Sequence, residues 1–148
     1  MEWLIRFQIV AVIFCMAGLA NAGQKLEMPV PLVEAGIAYK NKGSDRFMPT
    51  LIRGSRLQST DNTSLSQANT MLRAIEAHYG RFLGIEMIGA VSVSESTRVV
   101  YFVINYERGP LYGVADLYKT KREEIVTNSN VNTELGQIVP PDILAKLR

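Results

Sequence analysis

The segment Thr97-Arg98-Val99-Val100-Tyr101-Phe102-Val103-Ile104-Asn105-Tyr106 is rich in β-branched and aromatic residues and is apolar at odd and even positions alike. A strand with one wet face alternates, so apolarity on both faces predicts a central strand covered from two sides. Upstream, residues 85–93 are apolar with interspersed serines, and Glu95-Ser96 forms the turn between the two runs. Downstream, Arg108-Gly109-Pro110 makes a turn and residues 111–119 a third strand. Lys121-Arg122-Glu123 is the next turn and residues 124–131 a fourth strand. Links this short cannot carry a parallel crossover, so the four strands form an antiparallel meander.

Ahead of the strands the period is helical. Pro29-Val30-Pro31 opposes helix up to its last residue, where proline is tolerated as the first helical position. Leu32, Ala35, Gly36 and Tyr39 then repeat at helical spacing with Val33 and Ile37 beside them, which predicts a helix over residues 31–41 stopped by Lys42-Gly43. Ser44-Asp45 can cap a short helix carrying Phe47, Met48, Leu51 and Ile52, limited by Pro49. Ser64-Leu65-Ser66-Gln67 fits a capping box. Leu65, Ala68, Leu72, Ile75 and Tyr79 line one face of the four-turn helix that follows, and Gly80 ends it. Met48, Met71 and Met87 read as core fillers. Residues 134–139 and 141–147 each suggest a helical turn or short helix. The order predicts an α+β domain: N-terminal helices on a four-stranded antiparallel meander, the long helix lying across one sheet face.

The N-terminus reads as an address. Arg6 precedes an apolar run at residues 9–19, closed by Ala20-Asn21-Ala22 before Gly23, the layout of a secretory signal peptide cleaved between Ala22 and Gly23. The run is shorter than the about twenty apolar residues of a spanning helix, so no stable membrane anchor is expected after cleavage. Cys15, the single cysteine, sits inside the run and lacks the setting of a lipid-anchored residue. Its removal leaves a mature chain without disulfide or thiol nucleophile. The expected organisation is a signal at 1–22, an extended arm at 23–30 and one α+β domain at 31–148, long enough to fold without covalent staples. Export to a periplasmic or extracellular location follows.

The net charge is +2, with both signs mixed along the chain, which argues against nucleic acid as a partner. Asn62-Thr63-Ser64 is a glycosylation sequon with meaning only in a eukaryotic secretory route. The glycines at 80, 84 and 89 do not form a phosphate loop, and no cofactor is implied.

The run of helix, short helix and long helix ending in His78-Tyr79-Gly80, followed by strands with Tyr101-Phe102-Val103, Tyr106-Glu107 and Asp116-Leu117-Tyr118-Lys119, resembles a group of small secreted bacterial proteins of unknown function. These have a nuclear transport factor 2-like (cystatin-like) α+β fold. The resemblance covers most of residues 31–140 and implies a cone-like domain with an aromatic-lined concave face. Its motifs mark a fold and no chemistry. Where such proteins often carry a tryptophan, this chain has Arg122-Glu123-Glu124-Ile125.

Three residues are candidates for proton transfer: Asp116, Tyr118 and His78. Strand alternation puts Tyr112, Val114, Asp116 and Tyr118 on one face, and an acid desolvated among phenols acquires a raised pKa useful for catalysis. Ketosteroid-isomerase-like enzymes of the resembled fold use such a carboxylate and tyrosine. The alternative is that Asp116 faces solvent or pairs with Arg98 or Lys119. His78, the only histidine, excludes a histidine-pair metal site; it is as readily a solvent-facing residue near a helix C-terminus. Tyr101, Tyr112 and Tyr118 are the ligand-binding candidates, or else pack with hydroxyls at the rim. No G-x-S-x-G nominates a serine nucleophile. Glu107-Arg108-Gly109-Pro110 and Arg122-Glu123-Glu124 read as solvated turns. Three functions remain open: a non-enzymatic domain binding a small molecule or a protein, a pocket enzyme doing proton transfer or hydrolysis, and a structural homodimer through the sheet face.

Overall fold

The structure is a computed structural model, and it describes residues 27–59 and 62–146. The expected signal and cleavage site, Cys15, most of the expected arm and the side chain of the sequon's Asn62 lie outside the described residues. The chain is an α+β domain. Helices α1 (Val30–Lys42), α2 (Phe47–Leu51) and α3 (Asn62–Tyr79) precede strands β1 (Phe82–Ser92), β2 (Thr97–Tyr106), β3 (Gly109–Lys119) and β4 (Glu124–Asn132), and α4 (Pro141–Lys146) follows. The strands form one antiparallel sheet in the order β1-β2-β3-β4. β2 is thus an inner strand, as its two-sided apolarity demands.

One face of the sheet carries Val100, Phe102 and Ile104 of β2, Leu111, Ala115 and Leu117 of β3 and Val126 of β4. They pack with Leu32, Ala35 and Tyr39 of α1, Phe47 and Leu51 of α2 and Leu72 of α3. Phe102 lies opposite Gly113 in the β2–β3 register, and its ring occupies the space that a side chain at 113 would fill. The other face carries Val99, Tyr101, Tyr112 and Val114. It is covered by Ile138 and Val139, with Leu135, Ile143 and Leu144 beside them. The short elements after β4 therefore supply the second cover that β2 requires.

The closest backbone approach to the sheet is made by α1, against β1 and β4, and not by the long helix. Ala35 and Gly36 explain this, because small side chains let the helix come down; a Cβ at Gly36 would stand 3.2 Å from Ile85 Cδ1. α3 packs on α2 and the turn before it while sending Leu72, Ile75 and Tyr79 to the common core. Its helix is already formed at Asn62, so Ser64-Leu65-Ser66-Gln67 lies inside the first turns and is not a capping box. Gly80 ends α3 at φ 86°, a left-handed position that favours glycine. The Glu107-Arg108 tip is tied to that helix end: the Arg108 N–H donates to the Tyr79 carbonyl at 2.8 Å and the Glu107 N–H to the Arg81 carbonyl at 3.1 Å. Its side chains are exposed, but its backbone is anchored, unlike a free solvated turn. Met71 is exposed on the outer side of α3 and fills no core, whereas Met48 and Met87 do pack against it.

Candidate functional site

α1 is apolar on two sides. Leu32, Ala35 and Tyr39 face the sheet, and a second stripe at spacings of three and four residues, Val30, Val33 and Ile37, is left 40–65% exposed. Helical residues three and four apart lie on one face, so this stripe is a continuous outward seam. Beside it runs β1, an edge strand, where an irregular register between Phe82 and Gly84 throws out Leu83, 56% exposed. Val33, Ile37, Leu83 and Ile85 border a groove of about 270 Å³ whose far end is Lys40. Four of the seven large apolar side chains exposed among the described residues, Val30, Val33, Ile37 and Leu83, gather on this helix and strand. Such clustering marks an interaction surface more than scattered exposure does.

The groove continues past Lys40, Phe82 and Leu83 into a cleft of about 480 Å³ that Tyr39, Glu76 and Arg81 also line. Phe82 stacks on Tyr39 with ring centroids 4.2 Å apart. The Tyr39 hydroxyl donates to Glu76 Oε2 at 3.3 Å and lies 3.2 Å from the Tyr106 hydroxyl. Either hydroxyl can donate in the second bond. Burial drives the Tyr39 phenol far above its ordinary value, with Tyr106 and the Glu76 charge adding to the effect. Burial also raises Tyr106, partly offset by its bond to Tyr39. Both phenols therefore keep their protons at neutral pH. Arg81 at the rim is held by Glu107 at 3.2 Å.

The sequence candidates are distributed otherwise. Asp116, Tyr112 and Val114 do share a face, but Asp116 accepts a hydrogen bond from Asn128 Nδ2 at 3.1 Å in an exposed setting. Arg98 is not its partner: the guanidinium makes two 2.7 Å bonds to Glu124. Tyr118 is 45% exposed at the strand end. Tyr101 and Tyr112 pack beneath Ile138 and Val139, where burial and the nearby carboxylates of Asp142 and Asp116 raise the Tyr101 phenol. His78 is exposed on α3, its ring 5.3 Å from that of Tyr79. Tyr101 and Tyr112 are thus brought together with each other, and His78 with neither them nor Asp116. A further cleft at the hairpin ends, between residues 92–98 and 119–124, is closed by the Arg98–Glu124 pair, which neutralises its inner cation.

Sequence reasoning missed both the stripe and the Glu76–Tyr39–Tyr106 chain. The stripe had a signal in Val30, Val33 and Ile37, whose spacing repeats that of the buried side. The chain had none, since its members are 37 and 67 positions apart. Among the described residues no group of His, Cys, Asp or Glu side chains could hold a metal ion, and no helix is long and apolar enough to cross a membrane.

No protein-family model matches this chain, and no curated protein matches it. Among solved structures it is similar to the intermembrane space region of the chloroplast protein ARC6, at 11% identity over 70% of this chain and 88% of that one, with a TM-score of 0.37. A likeness of that size carries no argument about fold family or function.

Proposed function

We propose that this is an exported, non-enzymatic binding domain whose partner docks on the outward stripe of α1 and the adjoining edge of β1. The observation that carries the reading is the exposed seam Val30, Val33, Ile37 with Leu83. A helix apolar on two sides is suited to lie between two layers, and only one of the two sides of α1 is covered. Export is supported by the apolar run at residues 9–19 and Ala20-Asn21-Ala22. The nuclear transport factor 2-like kinship, which draws its support from the helix-then-meander order, is compatible with this use but does not require it. Native mass spectrometry of the protein from its exported fraction tests the reading: a species beginning at Gly23 with a bound partner, and loss of that partner in Ile37→Glu, are expected. A chain beginning at Met1, or a partner indifferent to Ile37→Glu, contradicts it.

A second reading, a pocket enzyme, is favoured by one geometry: a carboxylate, Glu76, accepting from a buried phenol at the wall of a cleft. In this version the residues would be Glu76 and Tyr39 and not Asp116 and Tyr118. Its test is a substrate screen of wild type against Glu76→Gln; turnover that survives the substitution removes it.

A further inference from the structure

We propose that the groove between α1 and β1 takes an extended peptide segment of a partner protein, added as a strand to the free edge of β1, with apolar side chains in the groove and a carboxylate at Lys40. The proposal rests on the binding reading above and names its partner.

Three features select a strand. β1 pairs only with β2 among the described residues, so its outer edge presents unpaired N–H and C=O groups, the template for strand addition. Register irregularities at Leu83 and Ile88 bracket a regular stretch from Gly84 to Met87. Within it a Cβ at Gly84 would meet nothing within 4 Å, so the sheet face over that residue is open. A helix laid in this groove leaves those groups unsatisfied, whereas a strand bonds them and sends every second side chain toward Val33, Ile37 and Leu83.

Charge sets the character of the peptide's end. Lys40 and Lys42 close the last turn of α1, and Lys40 lines both the groove and the cleft beyond it. Lys40 has no ionic partner among the described residues, while Arg81 is engaged by Glu107. Glu76, bonded by Tyr39, still presents an acid in the cleft, so the peptide's carboxylate belongs at Lys40 in the groove and not in the cleft beyond. The groove therefore complements apolar residues followed by a carboxylate. The chain's own arm already lends Met28 to the lining of the groove, and the Lys25 before it is a like charge for Lys40.

The test selects a displayed library of random short peptides on the full chain and measures the enriched peptides by fluorescence anisotropy. Enrichment of alternating apolar residues ending in Asp, Glu or a free C-terminal carboxylate is expected, with amidation of the terminus separating the last two. Ile37→Glu and Val33→Glu, both at exposed positions, should keep native circular dichroism and weaken binding at least about tenfold. Lys40→Gln should weaken it less and remove its salt dependence. Methylation of alternate peptide amides should abolish binding, and the amides at Gly84–Met87 should gain hydrogen-exchange protection. Binding that survives amide methylation overturns strand addition while leaving the binding reading intact. Binding indifferent to both glutamate variants overturns the two together. No enrichment, a dimer that Ile37→Glu dissolves, or nuclear Overhauser contacts from residues 9–19 to Ile37 and Leu83 each overturn the peptide as occupant.

Discussion

The two faces of the sheet are built from the same strands and finished differently. On the helix face Val100, Phe102, Ile104, Leu111, Leu117 and Val126 are sealed under three helices. On the other, Val99, Tyr112 and Val114 stay half-buried beneath one short C-terminal segment anchored by Val139. This contrast separates the rigid part of the domain from the adaptable one. A face covered by three elements is sensitive to any change of volume, because close-packed interiors relax only in part. A face covered by a single segment can part with it at smaller cost.

The contrast is tested hardest at Phe102 and Gly113. Phe102→Ala should cost about 3–5 kcal/mol in denaturant unfolding, since it removes a fully buried ring. Gly113→Ala should cost about 1–3 kcal/mol by the opposite fault, a Cβ forced into that ring. The two should be strongly non-additive: the double variant should lose less than the sum, because the smaller side chain at 102 makes the room that a methyl group at 113 needs. Additivity within about 0.5 kcal/mol would mean that the ring does not rest on Gly113. On the second face Val139→Ala should cost only about 1.5–2 kcal/mol, although Val139 is also fully buried. Hydrogen exchange should then rise in the segment after β4 and leave the helices unchanged. Global loosening would deny the distinction between the faces.

What could be read in advance follows from the same asymmetry. The two-sided apolarity of β2 was legible because it is local to ten residues, and the turns around it fix antiparallel pairing by length alone. The inner stripe of α1 was legible in the spacing of Leu32, Ala35, Gly36 and Tyr39, whereas the exposure of Val30, Val33 and Ile37 was not, since they are as apolar as the residues that meet the sheet. Alternation correctly grouped Tyr112, Val114 and Asp116, but the cover over Tyr101 and Tyr112 comes from Ile138 and Val139, beyond any strand period. The capping box at Ser64 failed because a local motif states a preference that a helix begun earlier overrides.

A finer distinction lies in the phenols. Tyr39 and Tyr106 on the helix face and Tyr101 on the other all hold their protons more tightly in the fold than free. Below about pH 10 folded and unfolded chains are both protonated and the contribution is intact. Above it the unfolded chain ionises first, so stability falls by at most about 1.4 kcal/mol per pH unit for each such group. Unfolding midpoints followed from about pH 9 to 11 should therefore decline. Tyr39→Phe should flatten the decline more than Tyr101→Phe does, because Tyr39 shares its burial with Tyr106 and the Glu76 charge. Equal flattening would place the two faces in equivalent surroundings.

The smallest effect belongs at the rim, where the faces should stop differing. Arg98 reaches across β3 to Glu124 with two parallel 2.7 Å bonds, a geometry that holds the guanidinium charged. Their side chains are 33% and 23% exposed, so water screens the attraction. Glu124→Gln should cost about 0.5–1 kcal/mol at low salt, the upper part of the range for exposed pairs because the bond is bidentate, and less at high salt. Asn128→Ala, which removes the exposed bond to Asp116 on the other face, should stay within about 0.5 kcal/mol. If Glu124→Gln instead costs as much as Val139→Ala and ignores salt, the pair is part of the helix-side core, and the boundary between sealed and adaptable regions runs closer to the hairpin ends.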